Sequence, residues 1–122
     1  MRVLIVDDSV TMRHLLQSVV ATLQAETVEA TDGRQALKIL ADQWPFDVAL
    51  VDWDMPVMNG IEFVKSVRAD SRFNGLKIMM VTADNSMEGV GKAINSGADD
   101  YLMKPLTGQM VIDKLRLLGL LD

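Results

Sequence analysis

Short apolar runs and helical stripes alternate along this chain. Val3 to Val6 are β-favouring or apolar residues closed by Asp7-Asp8-Ser9, which predicts a strand leading into a helix N-cap. Met12, Leu15, Leu16, Val19 and Leu23 then recur at helical spacing and predict one buried stripe along roughly four turns. Thr27 to Ala30 predict a second strand; Asp32-Gly33 opens a helix with Leu37, Leu40 and Ala41 on one face, ended by Pro45. A third strand runs from Asp47 to Val51 and breaks at Asp52-Trp53-Asp54-Met55-Pro56, which places Asp52 on a tight loop. Asn59-Gly60 then turns the chain into a helix with Phe63, Val64 and Val67 inward.

The second half repeats the alternation. Leu76 to Val81 are almost continuously apolar, as a strand covered on both faces requires, and end at Thr82-Ala83-Asp84. The helix from Ser86 to Ser96 is the weakest, because Gly89 and Gly91 each cost about 1 kcal/mol relative to alanine, and it is expected to be the most mobile element. Tyr101-Leu102-Met103 form a short fifth strand ending at Lys104-Pro105, and Thr107 caps a last helix with Val111, Ile112, Leu115 and Leu118 inward. Met110, Leu117, Leu120 and Leu121 on that helix cannot all face the sheet, so exposed apolar area is expected there.

Such an alternation implies a parallel sheet with right-handed crossovers and helices on both faces, a three-layer doubly wound α/β domain spanning residues 1–122. The flavodoxin-like strand order 2-1-3-4-5 places the ligand crevice at the carboxyl ends of strands one and three. Twelve Lys and Arg against 17 Asp and Glu leave a net charge of −5, which disfavours nucleic acid and favours protein partners. With no cysteine, disulfides and thiolate metal sites are excluded. The apolar start is too short for a signal peptide and no run of about 18 apolar residues is present to span a bilayer, so the chain reads as cytoplasmic and not membrane-bound.

The strand ends carry the chemistry. Asp7 and Asp8 follow the first strand, Asp52 and Asp54 the third, Thr82 the fourth and Lys104 the fifth, so residues distant in sequence meet at one rim. Carboxylates gathered in one pocket raise one another's pKa unless a cation intervenes, which predicts a hard divalent ion with oxygen ligands, Mg²⁺ first. The Lys104 ammonium and the Thr82 hydroxyl suit an anionic oxygen and suggest phosphoryl chemistry. Singly, each has a plainer use: Asp7-Asp8 as a helix cap, Asp54 and Asp84 as turn residues, Tyr101 as a strand aromatic. His14, the lone histidine, reads as a surface residue, and the nine methionines read mainly as core filler.

Asp7-Asp8, Asp52 with Met55-Pro56 and Gly60 behind it, Thr82-Ala83 and Lys104-Pro105 together resemble the signature of bacterial response-regulator receiver domains. The resemblance covers the whole chain. Thr11-Met12-Arg13, Asp52-Trp53 and Val81-Thr82-Ala83 bring it nearest to single-domain chemotaxis receivers of the CheY type. It implies that Asp52 accepts a phosphoryl group from a histidine kinase. It also implies that Asp8, Asp52 and the backbone carbonyl of Asp54 bind Mg²⁺, with Asp7 on the ion or its water. Thr82, with Ala83 beside it, and Lys104 would hold the phosphoryl group, and Tyr101 would turn inward as the switch reads it. The Lys104-Pro105 peptide would be cis, as proline permits. Output would use the face of helix four, strand five and helix five, including Tyr101, Met110 and Leu117. A flagellar-motor switch protein would bind there in a chemotactic version, or a second copy of the chain in a dimer. Asp54 and Asp84 stand where chemotaxis receivers often carry Asn and Glu, so they would tune the phosphoryl lifetime. Ser9 replaces a larger residue and would affect access.

Other functions remain to be separated from this one. A phosphorelay shuttle or the receiver of a transcription factor would carry the same motifs, although an end at Asp122 without a linker argues against an attached effector domain. A small metal-dependent phosphatase could use the same acids, but 122 residues leave no room for a substrate lid. A flavin site would want a Ser/Thr/Gly-rich loop after the first strand, and Asp7-Asp8-Ser9 has the wrong charge.

Overall fold

Alternation inside each strand sends neighbouring side chains to opposite sides of one sheet, and that gives the molecule two cores. The computed structural model describes residues 1–121. Its elements follow in the order β1 (Arg2–Val6), α1 (Val10–Ala21), β2 (Glu26–Ala30), α2 (Gly33–Gln43), β3 (Val48–Asp52), α3 (Gly60–Arg68), β4 (Lys77–Thr82), α4 (Met87–Asn95), β5 (Asp100–Met103) and α5 (Gly108–Leu117). All strands pair in parallel in the order β2-β1-β3-β4-β5, the doubly wound flavodoxin-like arrangement.

Leu4 and Val6 of β1, Ala49 and Val51 of β3, and Ile78 and Met80 of β4 pack under α2, α3 and α4 with Leu40, Phe63 and Val67. Val3 and Ile5, Val48 and Leu50, and Met79 and Val81 point the other way, to Leu16, Val20, Val111 and Leu115 of α1 and α5. The three central strands are therefore apolar at nearly every position, because both of their faces are covered.

Caps set the helix starts. Ser9, Asp32, Asn59, Ser86 and Thr107 each accept a backbone N–H of the first turn of α1 to α5 in turn, and Glu62 returns a bond to the Asn59 backbone to complete a capping box.

Several expectations need correction. Leu15 is exposed, and the buried stripe of α1 runs through Leu16, Val19 and Val20; at helical spacing Leu15 and Val20 flank the same face, and packing chose Val20. Ala41 is exposed and Ala36, one turn before Leu40, is buried instead. Asp52 is the last residue of β3, paired with Val81 across the sheet, and not a loop residue. The exposed apolar area expected on the last helix is there, at Leu117, while Met110, Leu120 and Leu121 are half-buried against the α1/α5 core. A 3₁₀ turn at Ser71–Phe73 and a cis Trp44-Pro45 peptide had no clear signal; α2 already stops at Gln43, since the residue before a proline disfavours helical backbone.

Candidate functional site

β1 and β3 are neighbours in the sheet, and the connections that leave them cross to opposite faces, so a crevice opens beyond their carboxyl ends. Asp7, Asp8 and Asp52 meet there. Each offers a carboxylate oxygen, and these atoms lie within 4.8 Å of one another. Asp52 is 4% exposed and Asp7 1%, while Asp8 is open to solvent and gives the pocket its mouth. Behind them, Gly60 has its Cα so near β3 that a Cβ would stand 2.6 Å from the Asp52 carbonyl oxygen. A side chain at position 60 would push the β3–α3 loop off the strand end.

Lys104 arrives from β5 and donates from Nζ to Asp52 Oδ1 at 3.0 Å. The Lys104-Pro105 peptide is cis. Thr82 ends β4 with 3% exposure, and its Oγ1 accepts the backbone N–H of Asp84 at 3.0 Å. Ala83, Asp54 and Asp84 are exposed around the rim. The Asp54 carboxylate is not one of the three that converge.

The electrostatics follow from this crowding. Burial pushes the Asp52 carboxyl above its ordinary value of 3.8; the Lys104 hydrogen bond and charge oppose that, and Asp8 and Asp54 add to it. Asp7 is also raised, first by burial and then by Asp52, against the Ser9 backbone N–H that donates to its Oδ1. For Lys104, burial pulls downward, but Asp52, Asp7 and Asp54 outweigh it and hold the ammonium above the ordinary lysine value of 10.5. One atom has nothing: Asp7 Oδ2 is buried without a hydrogen-bond partner. A buried carboxylate oxygen with no donor is costly, and a cation on the same side would relieve it. The donor set is all oxygen and negatively charged, so the residues fit a hard divalent ion. With a metal in the acids and an ammonium on Asp52, the pocket can gather the charge of a transferring anion.

The remaining expected residues lie away from the acids. Tyr101 is half-buried on β5 with Lys114 Nζ 5.0 Å from its ring centroid, and Lys114 also pairs with Asp100 at 2.9 Å. Tyr101, Met110 and Leu117 share an apolar cleft of about 280 Å³ between β5 and α5. His14 is exposed and lines a separate polar cleft of about 350 Å³ beside α1, to which no acid of the pocket contributes. Arg13, whose role the sequence left unread, donates to the Asp7 carbonyl at 2.7 Å and pairs with Glu29, so it braces the strand end that presents Asp7. Helical spacing offers only a weak signal for it, since Asp7 and Arg13 lie on different elements.

A doubly wound sheet with three acids and a lysine at its β1/β3 crevice defines a class of small acidic-pocket α/β domains. The chain belongs to the response regulator receiver domain family, which it matches over residues 3–116. It is 40% identical over 116 residues to the chemotaxis protein CheY1 of Helicobacter pylori, covering 94% of each chain. To the chemotaxis protein CheY of Pseudomonas aeruginosa the identity is 39%, over 94% of this chain and 93% of that one. Among solved structures, the chemotaxis response regulator CheY4 of Vibrio cholerae superposes with a TM-score of 0.89 at 36% identity, covering 96% of this chain and 97% of that one. The protein is thus a receiver of the CheY type in two-component signalling. No helix among the described residues is long and apolar enough to cross a membrane.

Proposed function

We propose that this protein is a phosphorylation-controlled switch, in which Asp52 accepts a phosphoryl group from the phosphohistidine of a histidine kinase in a Mg²⁺-dependent step. The observation that carries the proposal is the position of Asp52: nearly buried at the end of β3, on Lys104 at 3.0 Å and beside Asp7 and Asp8. A structural ion pair alone would need neither of the other two acids, and a capping pair would not be aimed at a lysine from another strand.

In this reading, the carboxylates of Asp7, Asp8 and Asp52 and the backbone carbonyl of Asp54 would hold Mg²⁺, and the ion would supply positive charge to offset that of the phosphoryl group. An Asp52 oxygen forms the new P–O bond while the donor P–N bond breaks, and the departing imidazole keeps the electron pair. No general base is needed, because a carboxylate attacks in its ionised form and has no proton to lose. Lys104, already on Asp52, would stabilise the transferring group, and Thr82 and Ala83 would meet its remaining oxygens. Asp54 stands at the exposed rim, where it sets access of the water that later cleaves the acyl phosphate, while the Asp84 carboxylate is turned onto Ser86. The chain itself is a switch and catalyses only its own phosphorylation and dephosphorylation.

Output runs through α4, β5 and α5, where Tyr101, Met110 and Leu117 line an apolar cleft suited to a partner's side chains. Similarity to chemotaxis proteins favours a cytoplasmic chemotaxis pathway, with a flagellar-motor switch protein as the effector. The receiver fold is read as one functional unit over the described residues. The test is Trp53 fluorescence on titration with beryllofluoride or acetyl phosphate. A Mg²⁺-dependent change that disappears in Asp52→Asn supports the switch. Turnover of unrelated phosphate esters would assign a small phosphatase instead.

A further inference from the structure

Gly89 lies inside α4, where glycine ordinarily weakens a helix, and the structure supplies a reason for it. A Cβ at position 89 would collide with the Asp84 carboxylate, whose Cγ and Oδ2 already occupy that space and whose Oδ1 would stand 2.8 Å away. The same Asp84 Oδ1 accepts the Ser86 backbone N–H at 2.9 Å and the Ser86 hydroxyl at 2.6 Å. Ser86 Oγ in turn accepts the Gly89 N–H at 3.0 Å as the N-cap of α4. At the other end, the Asp84 backbone N–H donates to Thr82 Oγ1. A continuous chain of bonds therefore runs from a nearly buried hydroxyl at the rim of the acid pocket, through Asp84 and Ser86, to the first turn of the helix on the output face.

We propose that Asp84, seated in the gap left by Gly89, is the positioning residue that couples the Thr82 hydroxyl to the start of α4. This rests on the phosphoacceptor reading, in which Thr82 meets the group on Asp52, and it names how that event reaches the output face. Reorienting Thr82 Oγ1 disturbs the bond from the Asp84 N–H; the Asp84 carboxylate, locked on Ser86 and against Gly89, carries the displacement into the N-cap. Glycine is needed because only an absent side chain lets a loop carboxylate sit on the helix itself. The coupling is reciprocal: a partner that holds α4 in one position changes the affinity of the pocket for the phosphoryl group by the same factor. Salt bridges elsewhere on α4 do not provide this path, since Glu88–Lys92 joins two exposed residues of the same helix.

The experiment loads the intact protein with beryllofluoride and Mg²⁺. It follows occupancy by Trp53 fluorescence and transmission by the amide chemical-shift changes of Met87 to Val90. For Asp84→Ala, the loading midpoint is expected to stay within about twofold of the original protein, while the shift changes across α4 fall below about half. Asp84→Asn keeps an oxygen acceptor for Ser86 and is expected to restore them. Gly89→Ala ordinarily strengthens a helix; here it is expected to give no rise in Tm and the same loss of transmission as Asp84→Ala. Normal loading with full α4 shifts in Asp84→Ala, or a Gly89→Ala variant that is both more stable and fully responsive, would overturn the coupling role alone. Failure of the unmodified protein to load at all would sink the phosphoacceptor reading and this one with it.

Discussion

At the scale of single residues, the acid pocket is a cost that the fold tolerates. Asp7 and Asp52 have raised pKa values because burial first, and then repulsion from neighbouring carboxylates, disfavour their charged forms. Between 3.8 and those raised values the folded chain holds more protons than the unfolded chain, so stability falls as pH rises through that window and stays reduced above it. In EDTA, thermal melts should therefore show the pocket costing more at neutral pH than near pH 3.8, with a smaller difference in Asp7→Asn. Adding Mg²⁺ should stabilise the protein at pH 7.5 by about 2.7 kcal/mol at hundredfold excess over its dissociation constant, and Asp7→Asn should lose most of that gain. The Asp84 carboxyl works oppositely: Ser86 holds it below 3.8, so its contribution is present above that value and fades only in stronger acid, outside the window. Lys104→Ala is expected to keep Mg²⁺ binding, read by the same melts, yet to leave partner affinity unchanged on phosphorylation; normal signalling by that variant would count against the assigned role.

At the scale of elements, burial decides the outcome of each substitution. Leu40 is fully buried where α2 meets the sheet, so Leu40→Ala should cost about 2–5 kcal/mol in urea unfolding. Gly60→Ala should cost about 1–3 kcal/mol by forcing the β3–α3 loop off the Asp52 carbonyl, and it should also slow phosphorylation by acetyl phosphate. Strands and caps were legible in the sequence because both depend on local features: an apolar run, an Asp, Ser or Thr before a stripe, a glycine or proline after it. The facing of helices was less legible. Leu15 and Val20 both fit the periodicity of α1, and Ala36 and Ala41 that of α2. The choice between them depends on how far each helix is rolled on the sheet, which is a property of the neighbouring elements. Gly89 illustrates the same limit, since propensity registers only a weak helix position and the fitted Asp84 carboxylate comes from the loop before the helix.

Across the whole molecule, the two cores lock the sheet between helices, while α4 and α5 keep Met87, Ile94 and Leu117 in solvent. Leu117 is 76% exposed, so Leu117→Glu should change stability by no more than about 0.5 kcal/mol. The same change should abolish phosphorylation-dependent association, whether with a partner or with a second copy, as measured by sedimentation velocity with and without beryllofluoride. Leu120 and Leu121 are half-buried against the α1/α5 core, whereas Met110 lines the cleft beside Leu117.

The order of strands and helices, the doubly wound class and the residues at the rim of the sheet were determined by the sequence itself. Apolar period, caps and breaks act over a few residues, and parallel crossovers leave few ways to connect the resulting units. Only the tertiary structure decided that Asp7, Asp8 and Asp52 approach within 4.8 Å, that Asp7 Oδ2 is left without a donor, and that Asp84 occupies the space beside Gly89. Distance and desolvation between residues far apart in the chain are set by how elements pack. No local pattern carries that information, because the same carboxylates in looser packing would be ordinary solvated caps and turns.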